Sequence, residues 1–298
     1  MYQIETKIIE NKNYIEMYSK KGNAFGRICL NEGGRLDVLN LNKTQLITKN
    51  PIFNYKNSYA SAILFPFANR INDGKYSFEG KTYNLKCNEV NRNNALHGLV
   101  YNKTFKTVKK EITPAFAKLE VQYKGNRNTL GFPFKYSISI TYKLMQTSLS
   151  LLIKVENIDS KSFPFTLGWH PYFLSKDLSK SSINFNSKVQ VESNLKMITT
   201  RTSQFKTPMP FQIKNDTLDN AYKLEDDKIL FKTPEYKLNI TSTEKNNYLQ
   251  LYTPDISNLI AIEPTTGVSD SFNNKIGLKI LKPNQTYKVK YLLNVEKL

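Results

Sequence analysis

The chain contains only two histidines, and each lies in a short segment that could form part of an active site. His97 lies in the segment ALHG, and His170 lies in the segment GWHPYF. Histidine has an ordinary pKa near neutral pH, so it is suited to proton transfer. Both residues are therefore candidates for acid–base chemistry. The alternative for each is a buried histidine that only satisfies core hydrogen bonds.

Three further segments place polar groups next to apolar runs. Asn69 and Arg70 interrupt the run LFPFANRI, where an arginine would be costly to bury without a partner. Arg70 could pair with a core carboxylate or face a ligand. Glu263 lies at the end of the apolar run LIAIEP. It could be a solvated residue at a strand end or a group that faces into a cleft. Asp219 lies in LDNAY, where Asp-Asn is also a common turn sequence.

Several kinds of catalytic machinery have no motif in the sequence. It contains no Gly-x-Ser-x-Gly, no His-Glu-x-x-His, no phosphate-binding glycine loop and no dinucleotide fingerprint. The two cysteines, Cys29 and Cys87, have no metal-type spacing and are too few for a disulfide framework. We therefore expect chemistry that depends on acids, bases and hydrogen bonds, with no metal and no cofactor.

The formal net charge of +18 raises the question of a nucleic-acid partner. Only six of the 43 basic residues are arginine, and the lysines are scattered without a basic run. Base readout and bidentate phosphate contacts favour arginine, so we expect a solvated basic surface and no nucleic acid. No apolar run is long enough for a membrane span, and the first residues do not resemble a secretory signal. These features predict a cytoplasmic protein with no membrane partner.

The elements that must position these residues are predicted to be strands. Residues 136–144 alternate apolar and polar side chains, and residues 118–123 and 149–155 continue the same period of two. Residues 76–85 indicate a hairpin with Glu79 and Gly80 at its turn. Twelve prolines leave little room for long helices, and no linker divides the chain. We predict one all-β domain over residues 1–298, a large antiparallel β-sandwich of two packed sheets.

Taken in order, these segments resemble the aldose 1-epimerase (mutarotase) family. The matching pieces are NRI at 69–71, LHG at 96–98, GWHPYF at 168–173, LD at 218–219 and IEP at 262–264. The hairpin at 74–85 and the segment LQLYT at 249–253 are also similar to that family. The resemblance covers the chain from about residue 25 to the C-terminus.

The resemblance implies a galactose mutarotase-like β-sandwich that interconverts the anomers of a free sugar without a cofactor. In that family pattern Glu263 is the general base for the anomeric hydroxyl, and His170 is the general acid for the ring oxygen. Acid and base are then expected on opposite sides of the bond between the anomeric carbon and the ring oxygen. The residues implied to bind the substrate are His97, near the ring oxygen, and Asn69, Arg70, Asp219 and Gln250, at the other hydroxyls.

Two departures from the family pattern bear on the sugar. Leu99 stands where many members have a second glycine, and Pro264 is not the commonest residue after the glutamate. Two alternatives therefore stay open. One is a hexose-6-phosphate 1-epimerase, for which Arg27, Arg35 and Arg70 are the candidate phosphate ligands. The other is a carbohydrate-binding protein without turnover. The expected partner is a small sugar, and the expected assembly is a monomer or homodimer.

Overall fold

The structure, a computed structural model, describes residues 1–49, 54–214, 217–245, 247–255 and 258–298. Within these parts of the chain it contains two one-turn α-helices, α1 (Tyr55–Ser58) and α2 (Ser271–Asn274), and 26 strands. The strands are β1 (Tyr2–Ile9), β2 (Lys12–Ser19), β3 (Ala24–Cys29), β4 (Arg35–Leu41), β5 (Thr44–Ile47), β6 (Ile63–Leu64), β7 (Arg70–Asn72), β8 (Lys75–Phe78), β9 (Lys81–Asn84), β10 (Asn94–Leu96), β11 (Lys106–Ile112), β12 (Ala117–Gly125), β13 (Tyr136–Leu144), β14 (Ser148–Asn157), β15 (Phe163–Phe165), β16 (Gly168–Trp169), β17 (Tyr172–Leu174), β18 (Ser182–Ser193), β19 (Thr199–Gln204), β20 (Phe211–Gln212), β21 (Asp219–Lys232), β22 (Tyr236–Ser242), β23 (Tyr248–Tyr252), β24 (Leu259–Thr265), β25 (Lys279–Leu281) and β26 (Thr286–Lys297).

Two antiparallel sheets dominate the architecture. The smaller sheet is a five-stranded meander, β1 to β5, and it packs against β11, β12 and β13 of the larger sheet. The larger sheet runs in the order β11-β12-β13-β14-β26-β22-β21-β23-β24-β16-β6, with β17 paired to β24 and β18 paired to β21. The predicted fold class, a large antiparallel β-sandwich, is confirmed.

The strand pattern read from the sequence corresponds to real strands. In β13 the apolar positions from Tyr136 to Leu144 are at most 1% exposed, and they join a core that also contains residues of the five-stranded sheet. The predicted hairpin is β8 and β9, and both of its turn residues, Glu79 and Gly80, have positive φ. Positive φ at both central residues is what a tight type I′ hairpin turn requires.

A second pair of short strands carries the first two polar segments. β7 and β10 pair so that Leu96 lies opposite Arg70, and the His97 amide donates to the Asn69 carbonyl at 2.8 Å. Gly98 follows with φ of +76°, and a Cβ at this position would lie 2.4 Å from the Phe65 carbonyl oxygen. The histidine is therefore held in place by a tight crossing of two chain segments that only glycine permits.

No helix in the described ranges has the length and apolar character needed to cross a membrane.

Candidate active site

All seven residues predicted from the sequence border one cavity of about 320 Å³. They come from six separate places in the fold: the start of β7, the end of β10, the connection after β16, and strands β21, β23 and β24. The seven residues are Asn69, Arg70, His97, His170, Asp219, Gln250 and Glu263.

Glu263 on β24 is in direct contact with His170, which lies between β16 and β17. His170 Nε2 is 3.3 Å from Glu263 Oε1, and the side chains are 6% and 4% exposed. The contact follows from sheet register: Gly168 pairs with Thr265, and Tyr172 pairs with Ala261. Position 170 is therefore opposite position 263, and directly opposed side chains lie close together. The expected placement of acid and base on opposite sides of a sugar bond is wrong, because the two groups lie side by side.

Burial controls the charge of this pair. Loss of solvation raises the pKa of Glu263 well above its ordinary value, and the nearby negative charge of Asp219 adds to the effect. Burial also lowers the pKa of His170 to about 3, helped by the positive charge of Arg70. Burial thus favours the uncharged forms of both groups, a carboxylic acid next to a neutral imidazole. The pair then holds one proton between two atoms in contact.

His97 and Tyr172 lie against the His170 ring, and Tyr59 lies against the His97 ring. The rings of His97 and His170 meet edge to face with centroids 5.0 Å apart, and Tyr172 stacks on His170 at 5.0 Å. Tyr59 lies 4.8 Å from the His97 ring. Burial and the neighbouring His170 lower the pKa of His97 well below its ordinary value. His97 is therefore neutral, which suits a hydrogen-bonding group better than a proton donor.

Glu89 is a buried carboxylate that holds two arginines of the cavity. It accepts two hydrogen bonds from Arg70, both at 2.9 Å, one from Arg92 at 3.0 Å and one from Asn94 at 2.8 Å. Burial disfavours the charged carboxylate, yet the bonds from Arg70 and Asn94 leave its pKa below the ordinary value. Of the two options for Arg70, the structure shows a pair with a buried carboxylate.

Glu89 and Arg92 are site residues that the sequence patterns did not indicate. The available signal was that an arginine flanked by apolar residues needs a carboxylate partner. Glu89 lies between the segments of Arg70 and His97 along the chain.

A chain of hydrogen bonds runs from this cluster along the cavity wall. Arg70 Nη1 donates to Asn69 Oδ1 at 3.0 Å, and Asn69 Nδ2 donates to Gln250 Oε1 at 3.5 Å. Gln250 Nε2 then donates to Asp219 Oδ1 at 2.8 Å. Each amide is oriented by its neighbours, so the wall presents a fixed set of donors and acceptors. Asp219 is open to the cavity, but desolvation of its carboxylate by the surrounding protein raises its pKa.

The geometry agrees with a family relationship over most of the chain. The family model "Aldose 1-epimerase" matches residues 19–294. The chain belongs to this family. The resemblance noted from the ordered segments is thereby confirmed.

Two solved structures are similar to the chain over nearly their full lengths, and a curated relative is similar over about three quarters of its length. A galactose mutarotase-like protein from Clostridium acetobutylicum has a TM-score of 0.89 at 21% identity, with 99% of both chains covered. Galactose 1-epimerase from Lactobacillus acidophilus has a TM-score of 0.80 at 14% identity, covering 100% of this chain and 99% of its own. The uncharacterized protein YihR of Escherichia coli is 23% identical over 244 residues, 78% of each chain. At these identities the structural likeness shows the fold.

Two of the candidate phosphate ligands do not belong to the site of this family member. Arg27 in β3 and Arg35 in β4 both bind Asp37 in the five-stranded sheet, and neither borders the cavity. Their side chains serve an ion-pair network on a different sheet. The expectation that they could reach a substrate phosphate is wrong.

Within the described residues there is no group of three or more histidine, cysteine, aspartate or glutamate side chains placed to hold a metal ion.

Proposed function

We propose that the protein is an aldose 1-epimerase that interconverts the α and β anomers of an uncharged aldose. The observation that carries this proposal is the contact between Glu263 and His170, a buried acid–base pair 3.3 Å apart on the wall of a sugar-sized cavity. The cavity volume of about 320 Å³ lies within the range of small-molecule sites, about 300–1,000 Å³.

The side-by-side arrangement matches the reacting atoms of a cyclic sugar. The anomeric hydroxyl and the ring oxygen are bonded to the same carbon, so two neighbouring side chains can reach both oxygens at once. The Glu263 carboxylate removes the proton of the anomeric hydroxyl while His170 Nε2 donates a proton to the ring oxygen. The bond from the anomeric carbon to the ring oxygen breaks, and the aldehyde forms.

Ring closure uses the same two groups with their roles exchanged. After opening, Glu263 is a neutral acid and His170 is a neutral imidazole, which are the forms that burial favours. Rotation about the bond between the first and second carbons presents the other face of the aldehyde. His170 then takes the proton of the attacking hydroxyl and Glu263 protonates the aldehyde oxygen. No proton is gained or lost over the cycle.

The pair reaches the state needed for ring opening by an internal proton transfer. Moving the shared proton from Glu263 to His170 across 3.3 Å converts the neutral pair into a carboxylate and an imidazolium. Both forms have the same total charge, so bulk pH does not shift the balance between them. Arg70 favours the carboxylate of Glu263 but opposes the imidazolium of His170, so the substrate hydroxyls are the groups that would stabilise the charged pair as a whole.

The charges around the cavity favour an uncharged sugar over a sugar phosphate. Its two arginines, Arg70 and Arg92, share the carboxylate of Glu89, and Asp219 adds a further acidic group. A phosphate clamp requires cations that are not already paired with carboxylates. We therefore propose a free aldose as the substrate, with Asn69, Gln250 and Asp219 binding its hydroxyls.

Polarimetry or NMR on freshly dissolved α-D-glucose, α-D-galactose and pentoses tests the proposal. We expect at least one aldose to reach anomeric equilibrium faster with catalytic amounts of protein, and glucose 6-phosphate to be a poorer substrate than glucose. If no member of the panel is accelerated, the proposed activity is wrong. If only the phosphorylated sugar is accelerated, the uncharged substrate is wrong.

A further inference from the structure

The two histidines of the active-site cavity have the same feature at their second ring nitrogen. Nδ1 of His97 and Nδ1 of His170 are both buried, and neither has a hydrogen-bond partner in another of the described residues. In acid–base sites a carboxylate or carbonyl often binds this nitrogen and thereby fixes the tautomer and the orientation of the ring. The contact between His170 and Glu263 uses only Nε2. Packing must therefore orient the two imidazoles.

Four rings pack in a row along this part of the cavity wall. In order they are Tyr59, His97, His170 and Tyr172, and successive ring centroids are 4.8, 5.0 and 5.0 Å apart. Tyr172 stacks on His170 with 19° between the ring planes, whereas His97 meets His170 edge to face at 80°. Aromatic rings pack favourably in both arrangements at about 4.5–7 Å. Rotation of the His170 ring would therefore break two favourable contacts.

Helix α1 connects the two ends of this row. The Tyr172 hydroxyl donates to the carbonyl of Ser58, the last residue of α1, at 3.3 Å, and Tyr59 follows Ser58 directly. The Tyr59 hydroxyl accepts a hydrogen bond from Asn88 Nδ2 at 2.9 Å. The Tyr59 ring also meets the Tyr101 ring edge to face at 4.9 Å. Both ends of the row are anchored, so the tyrosine rings form fixed walls for the imidazoles.

The backbone of His170 is held separately, by residues just after α1. The Ser61 amide donates to the His170 carbonyl at 2.7 Å, and the His170 amide donates to the Ala62 carbonyl at 3.1 Å. These bonds set where the His170 side chain begins, but they do not limit its rotation about its own bonds. The rotamer of His170 therefore depends on the rings that it contacts.

Tyr172 also bears on the charge of His170. Ring opening in the proposed mechanism needs a proton on His170, and burial disfavours that charged form. A cation over the face of a tyrosine ring is attracted to it when it lies within about 6 Å of the ring centroid. The stacked Tyr172 ring, at 5.0 Å, meets this condition. Burial raises the pKa of Tyr172 itself, so its hydroxyl keeps its proton and takes no part in the transfers.

We propose that Tyr172 is a positioning residue for this reaction: its ring holds the His170 imidazole in the orientation that proton donation requires and supports the imidazolium. The proposal rests on the proposed function, since the orientation of His170 matters for catalysis only if His170 transfers a proton. It assigns the effect to the aromatic face of Tyr172 and not to the hydroxyl. Because proton transfer depends steeply on alignment, a rotating imidazole would lower kcat more than it would weaken sugar binding.

Substitutions of two kinds at Tyr172 separate the ring from the hydroxyl. Y172F keeps the ring, whereas Y172L and Y172M fill part of the space without an aromatic face. With the full-length protein and the aldose that it converts fastest, we expect Y172L and Y172M to lower kcat by about 10- to 100-fold, because small displacements in an active site cost up to about 10²-fold. KM in all three variants, and kcat in Y172F, should stay within about threefold of the wild-type values, because Y172F retains the stacked ring.

NMR measures the orientation of His170 without any sugar. Because the chain has only two histidines, ring-labelled histidine gives two sets of imidazole signals, and H97N identifies those of His170. Carbon relaxation at Cε1 then reports how far the His170 ring moves. We expect an ordered His170 ring in the wild type and in Y172F, and a mobile ring in Y172L and Y172M.

The matched control is Y76L. Tyr76 is 1% exposed, stacks on Tyr83 at 5.1 Å with 16° between the ring planes, and donates its hydroxyl to the Gly131 carbonyl at 2.8 Å. Tyr76 therefore resembles Tyr172 in burial, stacking and hydrogen bonding, but it does not border the active-site cavity. Y76L should lose thermal stability as Y172L does, and it should keep the wild-type kcat and an ordered His170 ring.

The outcomes separate this proposal from the proposed function. An ordered His170 ring or an unchanged kcat in Y172L or Y172M overturns the positioning role, and so does an equal loss of kcat in Y172F or in Y76L. If Y172L does not fold, Y172M decides by the same criteria. If the wild type accelerates no sugar, yet its His170 ring is ordered and that of Y172M is mobile, the epimerase activity is refuted and the orientation of His170 by Tyr172 stands.

Discussion

Replacing Glu89 by glutamine tests whether this buried carboxylate organises the cavity. E89Q keeps the shape of the side chain but removes the negative charge that Arg70, Arg92 and Asn94 contact at 2.8–3.0 Å. The NH₂ group of the glutamine would also face the N–H donors of Arg70, Arg92 and Asn94. Arg70 would then be left 14% exposed without its counter-charge.

The magnitude follows from how well water can replace the lost partner. Removing one partner of a buried ion pair costs about 3–5 kcal/mol. Arg92 is 38% exposed and Arg70 borders a cavity, so water recovers part of this cost. We therefore expect E89Q to lower the free energy of unfolding by about 2–3 kcal/mol. Urea denaturation measures this value.

The kinetic constants of E89Q provide a second measurement, because a loss of stability alone would not change KM. Arg70 orients Asn69, which orients Gln250, so loss of Glu89 should disorder the groups that bind sugar hydroxyls. We expect KM to rise about tenfold in E89Q, with a smaller change in kcat.

The matched control for E89Q is E111Q, which removes an exposed ion pair with Lys118. Because exposed ion pairs contribute little to stability, E111Q should alter neither stability nor KM. A loss of stability in E89Q with unchanged KM would refute the positioning role, and unchanged stability would refute the buried-pair reasoning.

The remaining predictions concern the acid–base pair and the backbone that supports it. E263Q and H170N should each lower kcat for anomer interconversion by about 10²-fold or more with an unchanged circular dichroism spectrum, since each removes one proton-transfer group. A near-normal rate in either variant would exclude that residue from the proton transfers. In a pH profile of kcat/KM, the fall on the acid side should lie near the His170 pKa of about 3, because the base Glu263 is disabled only when the pair takes up a second proton. A fall near the ordinary histidine pKa of about 6.5 would show that burial does not govern the pair. G98A should lower the thermal midpoint and the activity together, because a Cβ would lie 2.4 Å from the Phe65 carbonyl in a left-handed backbone; a folded, fully active G98A would contradict this.

The sequence was sufficient for the strand content of the fold and for the residue types of the site. Period-two alternation is a local property, so residues 136–144 and the hairpin at 76–85 could be recognised without tertiary information. The ordered segments also indicated the family, and the seven residues they singled out border one cavity.

Only the tertiary structure decided how those residues meet. His170 and Glu263 lie far apart in the chain, and their contact depends on the pairing of β24 with β16 and β17. Strand order and register are set by packing across the whole sandwich, which local alternation does not encode. The same applies to Glu89, which accepts hydrogen bonds from Arg70. The residue types determined the chemistry available to this protein, and the sheet register decided the geometry in which that chemistry is placed.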